Sequence, residues 1–389
     1  MKLRHALAVL ASVALLLAAC GGGGGVGSGG TGGYASGAIA GFGSVIVNDI
    51  VFDDSAADVR DGSDTARARS DLRLGMTVEV DSDAIVDGAA RASRIRFDSA
   101  LVGPVAGVDV AADRFTVLGQ VVTVDETTVF DDRLAGRLSR LSPGARVEVY
   151  ALYDAALQRY RASRVDLLVV EPPAYRVRGV ASAVDRGART LQIGSATFAY
   201  DRATGVPADL ADGQFVRLSL PAAPPIGGRY EVTAFGTAVS GLPELDGVVI
   251  KGLVSRLASA ASFAVDGRPV DASAAQFDGG TPALGLRVEV EGTMHGGVLR
   301  ARTVRLKSDE QERSRGFDLR GPIESVGTTV PRSFVLRGLT VGTARADLRY
   351  EDGTAADLVA GRCVEVRALL AVTGASLEAT RIKFASGCR

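Results

Sequence analysis

The chain has no tryptophan, three methionines, three cysteines and two histidines in 389 residues, and only four of its 44 basic side chains are lysine. Each scarcity removes a class of function. Aromatic residues make up 5% of the chain, so a broad stacking surface for bases or sugar rings has few side chains to draw on. His5 lies at the extreme N-terminus, which leaves His295, beside Gly296-Gly297 in a turn, as the sole basis for a zinc site or a Ser-His-Asp triad. It reads as a solvated loop residue. The formal net charge is −1, so there is no basic excess to suggest nucleic acid as a partner. The paired acids Asp53-Asp54, Asp81 with Asp83, and Asp131-Asp132 lack the glycine and terminal glutamate of a calcium loop and read as turn and cap residues. No catalytic residue, metal or cofactor is expected, and the chain does not read as an enzyme.

What the chain does have begins at its N-terminus. Lys2 and Arg4 precede an apolar run from Ala6 to Leu17, the layout of a secretory signal. The run is too short for a spanning helix, which needs roughly 20 apolar residues. It ends in Leu17-Ala18-Ala19-Cys20, which resembles the lipobox of bacterial lipoproteins. That resemblance implies cleavage before Cys20 and acyl chains on it, and two or more chains give stable membrane anchoring. Loss of residues 1–19 takes away Lys2 and Arg4 and leaves a slight excess of acidic side chains. A glycine tract follows Cys20 and reads as a flexible tether over residues 20–35. Gly21 stands where inner-membrane retention signals place Asp, so the expected location is the cell envelope, at the outer membrane where two membranes exist. With Cys20 lipidated, Cys363 and Cys388 remain, at the start of one expected strand and just past its antiparallel partner. In an oxidising compartment these two are a possible disulfide.

Internal repetition organises the rest. Gly75, Gly144, Gly285 and Gly361 each precede a Val-Glu-Val, with a weaker copy at Gly213 and Val216-Arg217-Leu218. Segments such as Ala92-Ser93-Arg94-Ile95 and Ala379-Thr380-Arg381-Ile382 follow, degenerating in the third copy to Tyr230 through Phe235. Gly37, Gly103, Gly179, Gly252 and Gly321 open the units at nearly even intervals. Alternating polarity within each unit predicts strands with one buried face. Three strands, a longer connection and two more strands is the order of a small five-stranded OB-like barrel. The expected fold is therefore all-β: five tandem barrels over 36–99, 100–168, 175–236, 248–308 and 317–387, after the signal and tether. The charged stretch 308–316 reads as a solvated linker.

Lipobox, tether and the Gly-x-x-Val-Glu-Val and Ala-x-x-Ile units together resemble a bacterial family of repeat lipoproteins carrying tandem copies of a small β-barrel domain of unknown function. The likeness spans residues 37–386, is poorest in the third unit, and implies architecture and envelope location without an active site. Alternation predicts that Glu79, Glu148, Glu289 and Glu365 face outward, in ion pairs with basic residues such as Arg96, Arg305 and Lys383 on the next strand. Arg217 with Glu231 would be the reversed pair of the third unit. Tyr150, Tyr153 and Tyr160, with Arg159, form the one candidate ligand patch. The expected function is a non-catalytic envelope lipoprotein acting as scaffold, spacer or adaptor for envelope proteins. A surface or periplasmic glycan-binding protein is the alternative.

Overall fold

In each repeat the first strand pairs antiparallel with the second, the second with the third, the fourth with the fifth, and the fourth returns to the first. The third and fifth run parallel, which closes the sheet into a five-stranded barrel. The computed structural model describes residues 32–135, 137–371 and 376–388; the signal, Cys20 and the tether up to residue 31 lie outside the described residues. Barrel two shows the pattern most completely, with strands Leu101–Asp109, Arg114–Val117, Gln120–Thr123, Arg146–Asp154 and Arg159–Leu167. Barrels one, four and five repeat it, with third-to-fifth parallel pairs Val51 with Ala89, Val270 with Leu299, and Val341 with Leu377. The fold is all-β, in small OB-like barrels repeated along the chain. Among the described residues no helix is long and apolar enough to cross a membrane.

The motif glycine has a local cause. Gly75, Gly144, Gly213, Gly285 and Gly361 all have φ between +77° and +84°, a left-handed conformation that a side chain disfavours by about 1–2 kcal/mol. In each repeat its N–H donates to the first strand, onto the carbonyls of Ile39, Val105, Ala181, Val254 and Ile323. The turn thus fixes where the Val-Glu-Val strand enters the barrel. In barrel two the long connection carries short 3₁₀ turns, Asp132–Leu134 and Leu138–Arg140, whose Leu134 and Leu138 are buried as barrel plugs.

Barrel three, poorest in the sequence motif, is split. Its last strand breaks into Arg229–Glu231, parallel to Ala196–Ala199, and Ala234–Gly236, antiparallel to Phe215–Leu220. Arg217 consequently lies opposite Gly236, and the expected pairing with Glu231 does not form.

Among the described residues, three continuous cores serve the five barrels. Barrels two and three share one, barrels one and five share another, and barrel four has its own, with Tyr34 of barrel one inserted. A unit of roughly 60 residues buries a thin core alone, and merging cores supplies the missing burial. The first strand, Gly33–Phe42, ties the two ends of the described chain together. It pairs in parallel with Gly247–Ile250 of barrel four and, further along, Gly41 and Phe42 lie beside Asp318 and Leu319 of barrel five. The tether therefore ends earlier than expected, because Gly33 is already held between two strands with no room for a side chain against Asp83. Barrel four likewise begins early, at Leu245.

The stretch 308–316 also departs from the solvated linker expected of it. It forms a helix, Asp309–Arg315, capped by Ser308, whose Oγ accepts from the Gln311 N–H at 3.1 Å. Its charges reach three other barrels: Asp309 to Arg161 at 2.8 Å, Glu312 to Lys251 at 2.5 Å, Arg313 to Glu126 at 3.1 Å, and Arg315 to Asp49.

Candidate functional site

Of the residues the sequence offered as a ligand patch, the tyrosines are inside the protein. Tyr150 and Tyr160 are 0% exposed and Tyr153 is 3% exposed, so no ligand can stack on them. Tyr153 falls on the inward side of its strand with Val147, Val149 and Ala151 and joins the core of barrels two and three, whereas Tyr150 faces out of barrel two and is covered by the core of barrels one and five. A β-bulge adds Ser163 to the facing strand, between the partners of Tyr150 and Ala151. Tyr153 and Tyr160 meet edge to face with centroids 5.0 Å apart. The Tyr160 hydroxyl donates to the Arg178 carbonyl at 2.9 Å, crossing from barrel two to barrel three. Arg159 is half-buried on the same hairpin. The same bulge recurs on the last strand of barrels one, four and five, at Ser93, Arg302 and Thr380.

The recurring glutamates keep part of their expected role and gain another. Glu79 pairs with Arg96 at 2.9 Å and Glu289 with Arg305 at 3.1 Å. Glu148 lies opposite Asp166, so its nearest cation is Arg176 of barrel three, 3.9 Å away. Glu365 lies opposite Lys383 in register. Three of the four are sheltered by neighbouring barrels where solvent was expected. Glu289 is 6% exposed. Burial pushes the Glu148 carboxyl up, against the pull of Arg176. Burial also acts to raise Glu79, but the Ser240 hydroxyl at 2.6 Å and the Arg96, Arg178 and Arg268 guanidiniums outweigh it and hold the carboxyl down.

Glu79 belongs to a charged junction where barrels one, three and four meet. Arg268 lies over the Tyr34 ring at 5.1 Å, donates to the Tyr34 hydroxyl at 3.1 Å, and stands 3.7 Å from Glu79. Burial, and then Glu79, push the Tyr34 phenol up. Asp266 occupies the hairpin tip of barrel four and lies on Gly252, where a Cβ would collide with its carboxylate. Burial raises this carboxyl to about 6, against the pull of Arg178 and the Leu253 N–H. The cavity here is about 70 Å³, room for about two waters. Glu79 faces both Arg96 and Arg268, and Arg178 pulls on Asp266 from barrel three, so the junction links the three barrels through their charges.

The repeat-opening glycines belong to the same scheme. Gly37, Gly103, Gly252 and Gly321 receive the side chains of Asn48, Leu118, Asp266 and Arg337 from the hairpin joining strands two and three. Those tips then touch other barrels. Next to Leu118, Gln120 donates to the Ile193 carbonyl of barrel three at 2.8 Å, and Arg337 donates to the Gly43 carbonyl of barrel one at 3.3 Å. Nothing in the repeat motif announced this, because the tip residue differs in every copy.

A groove of about 770 Å³ lies between barrels one, two and five. Among the described residues no group of three or more His, Cys, Asp or Glu side chains could hold a metal ion. His295 is exposed in its hairpin, and Glu244 bonds both its ring and the Gly296 N–H. Cys363 and Cys388 are joined as a disulfide, with Cα atoms 5.3 Å apart.

Three segments of the chain, residues 102–166, 251–305 and 320–383, match the family described as Domain of unknown function (DUF5666). They fall on barrels two, four and five, so the chain carries tandem copies of that domain. No curated protein matches the chain. Among solved structures, one described as "drosophila Unr CSD456" aligns at 16% identity over 54% of this chain and 97% of its own, with a TM-score of 0.14. A score that low carries no argument about this protein.

Proposed function

We propose that the protein is a lipid-anchored, non-catalytic scaffold or adaptor of the bacterial cell envelope, held at the outer membrane where two membranes exist. The observation that carries the reading is the fate of its reactive side chains. The tyrosines, the recurring glutamates and the hairpin tips are engaged in packing one barrel on another. The chemistry is spent on packing barrel against barrel, and the outward surface is left for partners. An adaptor fits better than a spacer, since first-strand pairing brings barrels four and five back onto barrel one and leaves reach to the glycine tether alone. The lipobox-like Leu17-Ala18-Ala19-Cys20 and the glycines behind it supply anchor and tether.

The anchor is tested by fractionating cells that express the native chain and Cys20→Ala. Native protein is expected in the membrane fraction and the variant in the soluble envelope fraction; a variant that stays with the membrane overturns the lipid anchor. The scaffold reading is tested by crosslinking in intact cells, where discrete adducts with envelope proteins are expected. Absence of such adducts, together with turnover of an envelope polymer by the purified protein, would replace the scaffold with an enzyme. Envelope glycans among the crosslinked species would make glycan binding the function.

A further inference from the structure

Barrel four is held differently from the other barrels. Barrels two and three share a core, as do barrels one and five, whereas barrel four packs its own with Tyr34 inserted. Its seam with barrels one and three is closed at one hairpin tip, residues 265–268, between strands Ser262–Val265 and Arg268–Asp271. The tip is wedged in place. A Cβ at Gly267 would stand 2.5 Å from the Phe215 side chain of barrel three and 2.9 Å from Val239. Arg268 donates to the Tyr34 hydroxyl of barrel one at 3.1 Å and to the Ser240 carbonyl at 3.2 Å.

Asp266 is the exception in this tip. Its carboxyl is turned back onto Gly252, beside the cavity at the junction, and accepts one long hydrogen bond, from the Leu253 N–H at 3.4 Å. Among the described residues it forms no ion pair. Arg178, which pulls on it from barrel three, is engaged elsewhere: its Nε donates to the Ala238 carbonyl at 3.0 Å and its guanidinium lies over the Phe215 ring. An enclosed carboxylate so poorly paired favours its neutral form.

We propose that this hairpin tip is a proton-controlled latch, which holds barrel four against barrels one and three while Asp266 is protonated and releases as that carboxyl ionises. In the closed seam burial raises the carboxyl to about 6 from an ordinary 3.8. A lifted tip returns it towards the ordinary value, so opening gives up a proton between about pH 4 and pH 6. The open fraction therefore rises with pH across that window and is level above it. The two values set a ceiling of about fiftyfold between pH 4 and pH 7, and burial against Gly252 that persists in the open form keeps the rise below it. The other charged groups around the tip are Glu79, Arg96 and Asp98 of barrel one, Arg178 of barrel three, and Lys251, Arg268 and Arg287 of barrel four. Glu79 is held down and keeps its charge through the window. Asp81, on the same strand as Glu79, is pushed up by burial, so a variant must separate it from Asp266.

The test is amide-resolved hydrogen exchange on the full chain carrying Cys20→Ala, from pH 4 to pH 7, each rate divided by its intrinsic rate at that pH. The reporters are the N–H groups of Leu253, Asp266 and Gly267, bonded to the Asp266 carboxyl, the Leu253 carbonyl and the Ser255 hydroxyl. Strands Arg146–Asp154 and Arg159–Leu167 of barrel two serve as reference. The reporters should be less protected than the reference, because the tip opens without the barrels unfolding. Their opening should rise from pH 4 to pH 7 by about fivefold or more, within the fiftyfold ceiling. Asp266→Asn should lose most of that rise and keep at pH 7 the protection the parent has at pH 4. The latch is overturned by reporters as protected as the reference, which would mean release only on whole unfolding, or by an opening that is flat with pH. A rise that survives Asp266→Asn overturns it too and assigns the proton to Asp81. Neither the lipid anchor nor the scaffold reading enters this test.

Discussion

Tyr160 shows how much one side chain can do at a barrel seam. Its ring fills the core shared by barrels two and three, and its hydroxyl donates to the Arg178 carbonyl. Tyr160→Phe removes the bond alone and should cost about 1 kcal/mol, whereas Tyr160→Ala opens a cavity and should cost about 3–5 kcal/mol, both read from urea unfolding. Neither effect would follow from a solvent-facing ligand patch. Asp266 makes a prediction of pH dependence. Its folded carboxyl is raised to about 6 from an ordinary 3.8, by burial and against Arg178, the Leu253 N–H and Arg287. Between those values the unfolded chain gives up a proton that the native protein keeps, so stability falls as pH rises from about 4 to about 6 and is level above. Asp266→Asn should flatten that part of the profile and melt higher than the parent at pH 7. A stability difference between parent and Asp266→Asn that does not fall across this window would show that the carboxyl is not raised.

Helix Asp309–Arg315 is the element that joins barrel four to barrel five, and it bonds across to barrels one, two and four. Partly exposed ion pairs contribute about 0.2–1 kcal/mol each and weaken with salt. Asp309→Asn with Glu312→Gln should therefore lower stability by about 1 kcal/mol in dilute buffer. The loss should shrink towards zero at about 1 M salt, where the Debye length is near 3 Å. Melting curves of parent and variant at the two ionic strengths give the comparison. A difference that persists at high salt would mean that the helix is held by packing. From sequence the segment reads as solvated linker because it carries no apolar side chain. Its ionic partners belong to other repeats, beyond the reach of any local pattern.

The protein as a whole is a chain of barrels whose first strand meets its last two barrels. The closing barrel carries the disulfide Cys363–Cys388, with a sequence separation of 25. A loop of that size restricts the unfolded chain by about 3.5 kcal/mol. The pair Cys363→Ser and Cys388→Ser should lose up to that amount, first visible in hydrogen exchange as faster exchange in strands Cys363–Leu370 and Leu377–Phe384 of barrel five. Uniform loss of protection across all five barrels would show instead that the assembly unfolds as one unit.

The barrel itself is written in the amino-acid order. The left-handed glycine before Val-Glu-Val, the inward valines and the fixed strand order are local requirements, each met inside one repeat and imposed again in the next, so they leave a period that can be read. The weak third copy is legible in the same way, as its broken last strand bears out. What the outward faces do depends on how the barrels pack. Tyr150 faces out of its own barrel and is still buried, because barrels one and five cover it, and the cation beside Glu148 comes from another barrel. Barrel-to-barrel packing is set by side chains that differ from copy to copy, Asn48, Leu118, Asp266 and Arg337 among them. A contact made once leaves no repeat in the sequence by which to recognise it.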